Sequence, residues 1–348
     1  MRRRVFVSGS LLAAAATAAY VWRARLGWTG AAARRGANAE PMPDGRTLVR
    51  DAALAFGTTV SIAAVHEDPD AALAAIGEAL DQAHRIDSLM TVFRPDSQVG
   101  RLNALGVVTD PDPHLVRVLE FSQRLAALSD GTFDVTVQPL WLLFVECKRQ
   151  GRVPSRDEVA AARSLVDWTA LEVSARRIAL GHPGMSVTLN GVAQGYAADL
   201  ALGVLRERGI RDALVDTGEH GAEGARQPGH PWTLGIRHPR DPDGVIAAVA
   251  MDGRFLATSG DYATTFTDDF LHHHIFDPHT GYSPVELSSV AVAAASGMEA
   301  DGLTKPMMVL EPSRARALLS RFPGAGAVWI DKQSRIAASH GMRLVAGG

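Results

Sequence analysis

The order in which helical and β-rich segments follow one another constrains the fold of this chain most strongly. Helical periodicity comes in groups, over Asp70–Met90, His114–Leu128, a helix opening at Ser155, Ala193–Arg208, Glu299–Leu310 and Pro312–Arg321. Short β-rich segments lie between them: Thr58–Val65, Arg176–Leu189, Ala213–Asp216, Trp232–Arg237, Val245–Met251, Ser288–Ala294, Ala327–Asp331 and Arg335–Ala338. Several of these follow each other closely through turns, which favours antiparallel pairing over a doubly wound sheet. The sequence therefore predicts an α+β fold with largely antiparallel sheets and packed helices.

The charge of the chain is unevenly divided and argues against a nucleic-acid partner. Residues 1–39 contain seven arginines and no acidic residue, so residues 40–348 carry a formal charge of about −10, whereas the whole chain carries −3. A body this acidic has no general attraction for a phosphate backbone.

Two scarce residue types exclude several classes of enzyme. The one cysteine, Cys147, rules out an intrachain disulfide, a CxxC redox pair and a cysteine zinc cage. The three lysines, Lys148, Lys305 and Lys332, fit neither the P-loop pattern nor the SxxK pattern. P-loop and penicillin-binding chemistry are therefore excluded.

The N-terminus has the pattern of an export signal followed by a tether. Arg3 and Arg4 precede an apolar run from Val5 to Trp22, an arrangement that resembles a twin-arginine signal. A Sec signal or a membrane anchor fits the same residues, and residues 23–46 have the composition of a disordered tether. We expect residues 1–39 to be a twin-arginine-type export signal or anchor plus tether, and residues 40–348 to be the working domain. The expected location is the periplasm, with inner-membrane anchoring left open.

Chemically unusual residues concentrate in four blocks, at 90–103, 131–141, 189–199 and 257–305. The third block places small residues in a turn that opens a predicted helix. Free backbone N–H groups there favour a phosphate oxygen, and glycine permits close approach. An ordinary strand-to-helix turn accounts for the same residues.

The fourth block contains two possible metal-binding features. Consecutive residues of a strand point to opposite faces, so at most two of His272, His273 and His274 can bind one ion. Exposed or edge-strand histidines, one bonded to Asp277, account for the run equally simply. Asp301 opens a predicted helix, where the helix dipole favours a carboxylate and a hard cation such as Mg²⁺ favours the same oxygen. The residues alone leave these alternatives open.

Together the four blocks resemble the ApbE family of FAD:protein FMN transferases. The resemblance runs from about Phe56 to Lys305 and beyond. Asn190 to Tyr196 matches a subgroup motif with valine in place of isoleucine, and residues 235–242 resemble the segment that precedes the TSGDY motif. Each motif is weak alone, but their ordered set is specific.

The resemblance implies a fold, an activity and partners. The implied fold is α+β, with FAD held between its two halves. The implied enzyme splits FAD at the pyrophosphate, attaches FMN to a threonine or serine hydroxyl of a partner protein by a phosphoester bond, and releases AMP with the help of Mg²⁺. The implied partners are FAD and redox subunits that carry the acceptor residue.

The resemblance also implies roles for single residues. The positions that match FAD-binding residues of the family are Phe56, Phe93, Thr132, Phe133, Asp134 and Thr188, the last standing where many members have aspartate. Gly191 and Asp301 match the magnesium-binding positions. His274 matches the histidine of the HxxDP motif, proposed to assist the transfer, and Asp277 lies three residues further on. The sequence does not choose between His274 and Asp277 as the base.

One position departs from the family pattern. Members usually carry threonine four residues after the metal-binding aspartate, whereas this chain has Lys305, whose charged amine cannot ligate Mg²⁺. Lys305 either pairs directly with the pyrophosphate, or points away while Thr304 takes its place, or marks a chain that binds flavin without transferring it. We place Lys305 among the FAD-binding residues.

Two classes of function follow from these readings. The first is the FMN transferase. The alternative is a periplasmic FAD-binding carrier, or an FAD pyrophosphatase, that lacks transferase activity because of Lys305. A zinc enzyme built on His272 to His274 would be a third class, and metal analysis would detect it.

Overall fold

The computed structural model describes residues 35–345 of the chain. The helices of this part are α1 (Pro69–Met90), α2 (Gln98–Leu105), α3 (Pro113–Leu128), α4 (Gln138–Arg149), α5 (Arg156–Arg163), α6 (Ala193–Glu207), α7 (Gly297–Val309) and α8 (Pro312–Leu319). Two 3₁₀ turns cover Val135–Val137 and Trp168–Ala170.

Short strands account for most of the remaining regular structure. They are β1 (Arg35–Pro41), β2 (Thr47–Ala55), β3 (Thr58–His66), β4 (Val107–Thr109), β5 (Leu171–Val173), β6 (Arg177–Leu180), β7 (Asp212–Asp216), β8 (His220–Glu223), β9 (Ala225–Gln227), β10 (His230–Pro231), β11 (Thr233–Arg237), β12 (Val245–Ala250), β13 (Phe255–Gly260), β14 (Leu287–Ala294), β15 (Gly326–Asp331), β16 (Ile336–Ala338) and β17 (Leu344–Val345).

A nine-stranded sheet forms the centre of the molecule, in the order β1-β2-β3-β7-β8-β13-β14-β15-β16. All of its neighbouring strands are antiparallel. Two small three-stranded sheets, β11-β12-β17 and β4-β6-β5, are antiparallel as well. The predicted α+β class with antiparallel sheets is confirmed.

The two faces of the central sheet bury separate cores. Helices α1, α6 and α7 pack on one face, where Ile76 and Leu80 of α1 meet Val60 and Ile62 of β3 in the larger core. The sheet β11-β12-β17 covers the other face, where Trp232 joins a second core. A third, mainly aromatic cluster lies around Phe144 of α4 and is described below.

Capping residues explain where several helices begin and where one of them ends. The Asp68 side chain accepts hydrogen bonds from the N–H groups of Asp70 and Ala71 at the start of α1, and Pro69 occupies its first turn. Ser155 and Glu158 form the predicted capping box of α5. Gly209 follows α6 with a φ of +82°, the left-handed conformation typical of a helix end.

The predicted segments differ from the structure at several elements. Only Arg177–Leu180 of the predicted strand 176–189 is a strand, because residues after it turn away to reach α6. Helices α2 and α4 were not predicted, nor were nine of the described strands: β1, β2, β4, β5, β8, β9, β10, β13 and β17. The TSGDY motif begins on β13, a central strand buried on both faces that shows no polar alternation.

The N-terminal prediction is only partly within the described residues. Residues 1–34, which carry the expected export signal, lie outside them. The expected disordered tether over 23–46 is wrong in its second half, since residues 35–41 form β1 and pair with β2 at the edge of the central sheet. Among residues 35–345, no helix combines the length and apolar character needed to cross a membrane.

Candidate active site

A cavity of about 510 Å³ gathers side chains from distant parts of the sequence. Its walls come from the β2–β3 turn, the segments before α4 and α6, the end of β13 with the loop that follows it, and α7. The predicted site residues that line it are Phe56, Phe93, Thr132, Phe133, Asp134, Thr188, Gly191, His274 and Lys305. Nine of the eleven predicted site residues thus lie around one cavity.

Two predicted site residues do not line the cavity. Asp301 is fully buried directly behind Lys305, with which it forms an ion pair. Asp277 faces its own turn, where its carboxylate accepts a hydrogen bond from the His279 N–H at 2.9 Å. The fold thus separates the two candidate bases, because Asp277 neither lines the cavity nor pairs with His274.

Phe56 occupies a strained turn at the cavity wall. Ala55 pairs with Thr58, so Phe56 and Gly57 are the two central residues of the hairpin, with φ values of +53° and +71°. Such values are typical of a type I′ turn, which favours Asn-Gly and disfavours a bulky first residue. The buried Asp87 carboxylate accepts a hydrogen bond from the Phe56 backbone and helps to hold the turn. Strain retained at a ligand-sized cavity is a hint of function.

A second aromatic wall faces the same space. Phe93 lies just beyond the end of α1 and meets Trp141 of α4 edge to face, with their ring centroids 6.1 Å apart. Both rings are half-buried and line the cavity. Phe276 adds a third ring from the loop after β13. Flat aromatic surfaces of this kind suit a planar ring system.

The segment before α4 supplies buried polar groups. The Asp134 carboxylate accepts hydrogen bonds from the Thr136 N–H at 2.7 Å, from its hydroxyl at 2.7 Å and from the Trp168 N–H at 3.1 Å. Burial raises the pKa of Asp134 to about 6 despite these bonds. The Thr188 N–H donates to the Val135 carbonyl at 2.8 Å, which joins this segment to the one before α6. Asp134 therefore lines the cavity and also holds its wall together through these hydrogen bonds.

The N-termini of α6 and α7 hold each other through reciprocal carboxylates. Asp301 of α7 accepts a hydrogen bond from the Gly195 N–H of α6 at 3.1 Å. Asp199 of α6 accepts hydrogen bonds from the N–H groups of Gly297 at 2.6 Å and Met298 at 3.0 Å at the start of α7. A Cβ on Gly195 would lie 2.0 Å from the Gly297 carbonyl oxygen, so glycine is required for this approach.

These contacts between α6 and α7, called the α6–α7 clamp below, affect the prediction that the third block binds a phosphate oxygen at the start of α6. Val192 precedes α6 without a side-chain cap, as expected for a helix start open to an anion. However, the Gly195 N–H is already bonded to Asp301. The negative group nearest this helix end is thus a protein carboxylate, and the adjacent cation is Lys305.

The structure argues against one of the three readings of Lys305, in which it points away and Thr304 takes its place. Its Nζ donates to an Asp301 carboxylate oxygen and, at 3.0 Å, to the Asp301 backbone carbonyl, while its stem passes over Gly191 and lines the cavity. The Thr304 hydroxyl instead donates to the Asp301 carbonyl and bonds the Ser259 hydroxyl, each at 2.7 Å. Thr304 therefore does not take the place of Lys305 in the cavity.

The donor set at Asp301 does not fit a divalent cation. One carboxylate oxygen bonds an amide N–H and the other bonds an ammonium group. Within residues 35–345, no group of three or more histidine, cysteine, aspartate or glutamate side chains is arranged to hold a metal. A hard cation requires several oxygen ligands, and both carboxylate oxygens of Asp301 are already bonded to N–H donors.

His274 is positioned as a neutral imidazole. Its backbone N–H donates to the Thr264 carbonyl at 3.0 Å, and its ring Nδ1 lies 3.3 Å from the same oxygen. A carbonyl can only accept, so Nδ1 carries the proton and Nε2 is left as the acceptor. Burial lowers the pKa of His274 to about 3, with His273 and Lys305 adding to the effect.

The three consecutive histidines face different surroundings. His273 is fully buried, and its Nε2 donates to the Pro284 carbonyl at 3.0 Å. His272 packs against Phe144 and Tyr282 in the aromatic cluster, with ring centroids 5.6 and 6.2 Å away. They form neither a shared metal site nor an exposed run, and the expected hydrogen bond to Asp277 is not formed by His274.

A buried ion-pair cluster anchors the loop that carries His274. Asp261, at the start of this loop, is fully buried and accepts two hydrogen bonds from the Arg240 guanidinium at 2.8 and 2.7 Å. The Lys332 Nζ donates to the same carboxylate at 2.6 Å. Because the charges are paired and bidentate, they fix the direction in which the loop leaves β13.

Comparison with known proteins identifies the family of this chain. The model of the ApbE family matches residues 56–329, a range that contains every predicted site residue. The chain belongs to the ApbE family. Curated relatives named FAD:protein FMN transferase include one from Vibrio cholerae, 30% identical over 76% of this chain and 81% of its own length. Another, from Klebsiella pneumoniae, is 32% identical over 75% of this chain and 77% of its own.

Solved ApbE structures share the fold. The ApbE protein of Thermotoga maritima superposes with a TM-score of 0.73 at 28% identity, covering 85% of this chain and 97% of its own. The apo form of the flavinyl transferase ApbE of Pseudomonas stutzeri gives a TM-score of 0.72 at 29% identity, covering 85% and 96%. The predicted ApbE-like architecture is confirmed.

This ApbE-family cavity also contains residues that sequence reasoning did not single out. Glu219 is buried in the wall, and its carboxylate accepts a hydrogen bond from the Thr258 N–H at 3.0 Å. Arg237 lies 5.4 Å from the centroid of the Tyr262 ring. The sequence signal nearest to Glu219 is Gly218, a glycine that the turn requires because its φ is +97°.

Proposed function

We propose that this chain is an FAD:protein FMN transferase, which moves FMN from FAD to a threonine or serine hydroxyl of a partner protein and releases AMP. The observation that carries the proposal is the cavity, which collects nine predicted site residues around one space of about 510 Å³. That volume lies within the range of small-molecule and cofactor sites, about 300–1,000 Å³. The curated relatives carry the same activity in their names.

The lining supports an orientation for FAD. Phe56, Phe93 and Trp141 offer flat faces to the isoalloxazine ring, in agreement with the roles implied for the first two. Thr132 and Asp134 lie on the side expected for the adenosine. Lys305 is then near the pyrophosphate, where its charge offsets that of the phosphates.

In the transfer, the acceptor hydroxyl attacks the phosphorus of the FMN half. A bond forms between this oxygen and the phosphorus, the pyrophosphate oxygen–phosphorus bond breaks, and AMP leaves with the bridging oxygen. The hydroxyl proton passes to Nε2 of His274, which the Thr264 carbonyl orients through Nδ1. A neutral histidine can accept this proton, and the phosphate charges raise its pKa when FAD is bound.

Magnesium, predicted from the resemblance, stays a prediction. When bound at such a site, Mg²⁺ would neutralise developing phosphate charge. Because the residues around Asp301 do not fit it, no step of the transfer is assigned to a metal.

Two further parts of the proposal concern partners and location. The acceptors are proposed to be redox subunits bearing the target threonine or serine, associated with the inner membrane and facing the periplasm. The arginine-led apolar run at residues 2–22 supports export, and the acidic body is consistent with a role away from nucleic acids.

The test combines two measurements on one reaction. The protein without residues 1–34 is mixed with FAD and an acceptor domain that carries a target threonine, and AMP release and in-gel flavin fluorescence are followed together. Equal amounts of AMP and fluorescent acceptor establish the transferase. AMP without a fluorescent band indicates an FAD pyrophosphatase, and bound FAD with neither product indicates a carrier. An acceptor with alanine in place of its target threonine is the matched control.

A further inference from the structure

The ammonium group of Lys305 lies where a cation would otherwise balance Asp301. The Asp301 side chain is fully buried, and its two oxygens are taken by the Gly195 N–H and by Lys305 Nζ. Asp301 and Lys305 are four residues apart on α7, so both side chains lie on the same face of this helix. A metal could bind this carboxylate only by displacing a covalently attached cation.

The surroundings reinforce this arrangement. The lysine stem fills the space above Gly191, because a Cβ at position 191 would lie 2.8 Å from Lys305 Cε. The Thr304 hydroxyl is committed to Ser259 and to the backbone of its own helix. Glu219, another oxygen donor of the cavity wall, accepts a hydrogen bond from the Thr258 N–H. Burial, reinforced by the nearby Asp301 carboxylate, raises the pKa of Glu219 well above its usual value.

Lys305 nevertheless remains directed at the cavity. Its side chain is 21% exposed and belongs to the cavity wall, whereas that of Asp301 is 1% exposed. An ammonium group has three N–H donors, and two of them are bonded to Asp301. The third is available to an oxygen of an anion in the cavity.

We propose that Lys305 is a built-in replacement for the divalent cation: its ammonium, held by Asp301, binds the FAD pyrophosphate and makes the site independent of metal. This inference rests on the proposed function for its catalytic part. The metal-exclusion part does not depend on transfer and is measured separately.

The experiment measures metal binding and transfer on the same purified protein. Binding of Mn²⁺, a spectroscopic substitute for Mg²⁺, is followed by electron paramagnetic resonance with FAD present. AMP release and acceptor fluorescence are followed with Mg²⁺ and with excess chelator. We expect the wild-type protein to hold no Mn²⁺ and to transfer FMN equally well under both conditions.

Three variants sharpen the result. Lys305→Met keeps the length of the side chain without its charge and should lower transfer about 10²–10³-fold, the usual cost of losing one preorganised charge partner. Lys305→Thr should bind Mn²⁺ and should transfer only when Mg²⁺ is present. Arg149→Met removes an exposed cation that pairs with Glu146 on the same helix, and this control variant should behave as the wild type. A cooperative thermal unfolding transition measured without FAD, with a midpoint close to that of the wild type, confirms that each variant is folded.

Two results would overturn the proposal, and a third would refute the proposed function. Wild-type protein that binds one Mn²⁺ per chain, lost in Asp301→Asn, would overturn the proposal, as would transfer that stops in chelator and returns with Mg²⁺. If no condition yields AMP or labelled acceptor, the proposed function fails. The Mn²⁺ measurement would then still decide the metal question, since occupancy would refute exclusion and its absence would support it.

Discussion

His274 and Asp277 show how much a single residue's direction matters at this site. They are three residues apart in one motif, yet His274 lines the cavity while the Asp277 carboxylate bonds the His279 N–H in a turn. The histidine is also held in one tautomer by the Thr264 carbonyl. Of the two residues, His274 is the one that lines the cavity, and we propose it as the group that accepts the hydroxyl proton.

Replacing these two residues separates their roles. His274→Gln should lower the rate of FMN transfer about 10²–10⁴-fold, the usual contribution of a general base, while FAD binding stays close to that of the wild type. Asp277→Asn should retain most of the activity, because its amide oxygen can still accept the His279 N–H. Single-turnover rates with saturating FAD provide the comparison. A larger loss in Asp277→Asn than in His274→Gln would assign the base to Asp277.

Phe56 is a second residue whose conformation points to function. Substituting Asn creates an Asn-Gly type I′ turn, which relieves strain of about 1–2 kcal/mol and offsets part of the lost ring packing. We expect FAD binding to weaken by about 1–3 kcal/mol, the scale of an aromatic stacking contact. Flavin fluorescence titration and chemical unfolding measure the two effects. Ser334→Asn, in the β15–β16 turn at a φ of +60°, is the control and should leave FAD affinity unchanged.

At the scale of elements, the α6–α7 clamp sets the position of the cation. Asp301 and Asp199 each cap the other helix, and Gly195 permits the backbones to touch. Because Lys305 follows Asp301 by one helical turn, any shift of α7 along α6 moves the ammonium relative to the cavity. The rigid pairing of these two helices thus serves the site directly.

The capping carboxylate Asp199 makes a pH dependence measurable. Burial raises its pKa from 3.8 to about 6 in the folded protein, so the folded state binds the proton more tightly than the unfolded chain. Its contribution to stability is therefore greatest at low pH and falls as the pH rises through this window, by up to about 3 kcal/mol.

Asp199→Asn should remove this contribution. The free energy of unfolding of the variant should therefore fall less than that of the wild type as the pH rises from about 4 to about 6. Urea unfolding at several pH values measures the difference. Asp134, whose pKa burial also raises to about 6, gives a matched comparison through Asp134→Asn. An unchanged slope in Asp199→Asn would show that this carboxyl does not titrate there.

At the scale of the whole molecule, the cavity is lined by residues that are far apart in the chain, from Phe56 to Lys305. It draws on the β2–β3 hairpin near one edge of the central sheet, on β13 within it, and on helices packed against one face. A ligand that fills this space bridges elements separated by more than two hundred residues in sequence. Its binding should therefore stabilise the fold as a unit.

FAD should raise the midpoint of a single cooperative unfolding transition. At a free concentration of about 100 times Kd, the expected gain is about 2.7 kcal/mol. Differential scanning calorimetry with and without FAD measures it, and AMP alone serves as a weaker-binding control. Two transitions, only one of which responds to FAD, would contradict a cavity built from the whole fold.

Local sequence patterns predicted several helices and strands and nine of the residues that line the cavity. Periodicity and caps act over three or four residues, so α1, α3, α5 and α6 could be placed from neighbouring side chains alone. The ordered motifs of the ApbE family identified nine residues that line the cavity. Central strands such as β13 escaped because burial on both faces removes the alternation that marks a strand.

The pairing of the charged and polar groups at the site became visible in the folded chain. Asp301 meets the Gly195 N–H across 106 positions of sequence, Glu219 joins the cavity from a turn with no catalytic motif, and Asp277 turns away from its neighbour His274. The first two contacts join residues that are distant in sequence, and no local pattern encodes them. The family motif pointed to magnesium at Asp301. The ammonium of Lys305, one turn further along α7, bonds that carboxylate instead, and the packing of α6 against α7 brings the Gly195 N–H to its other oxygen.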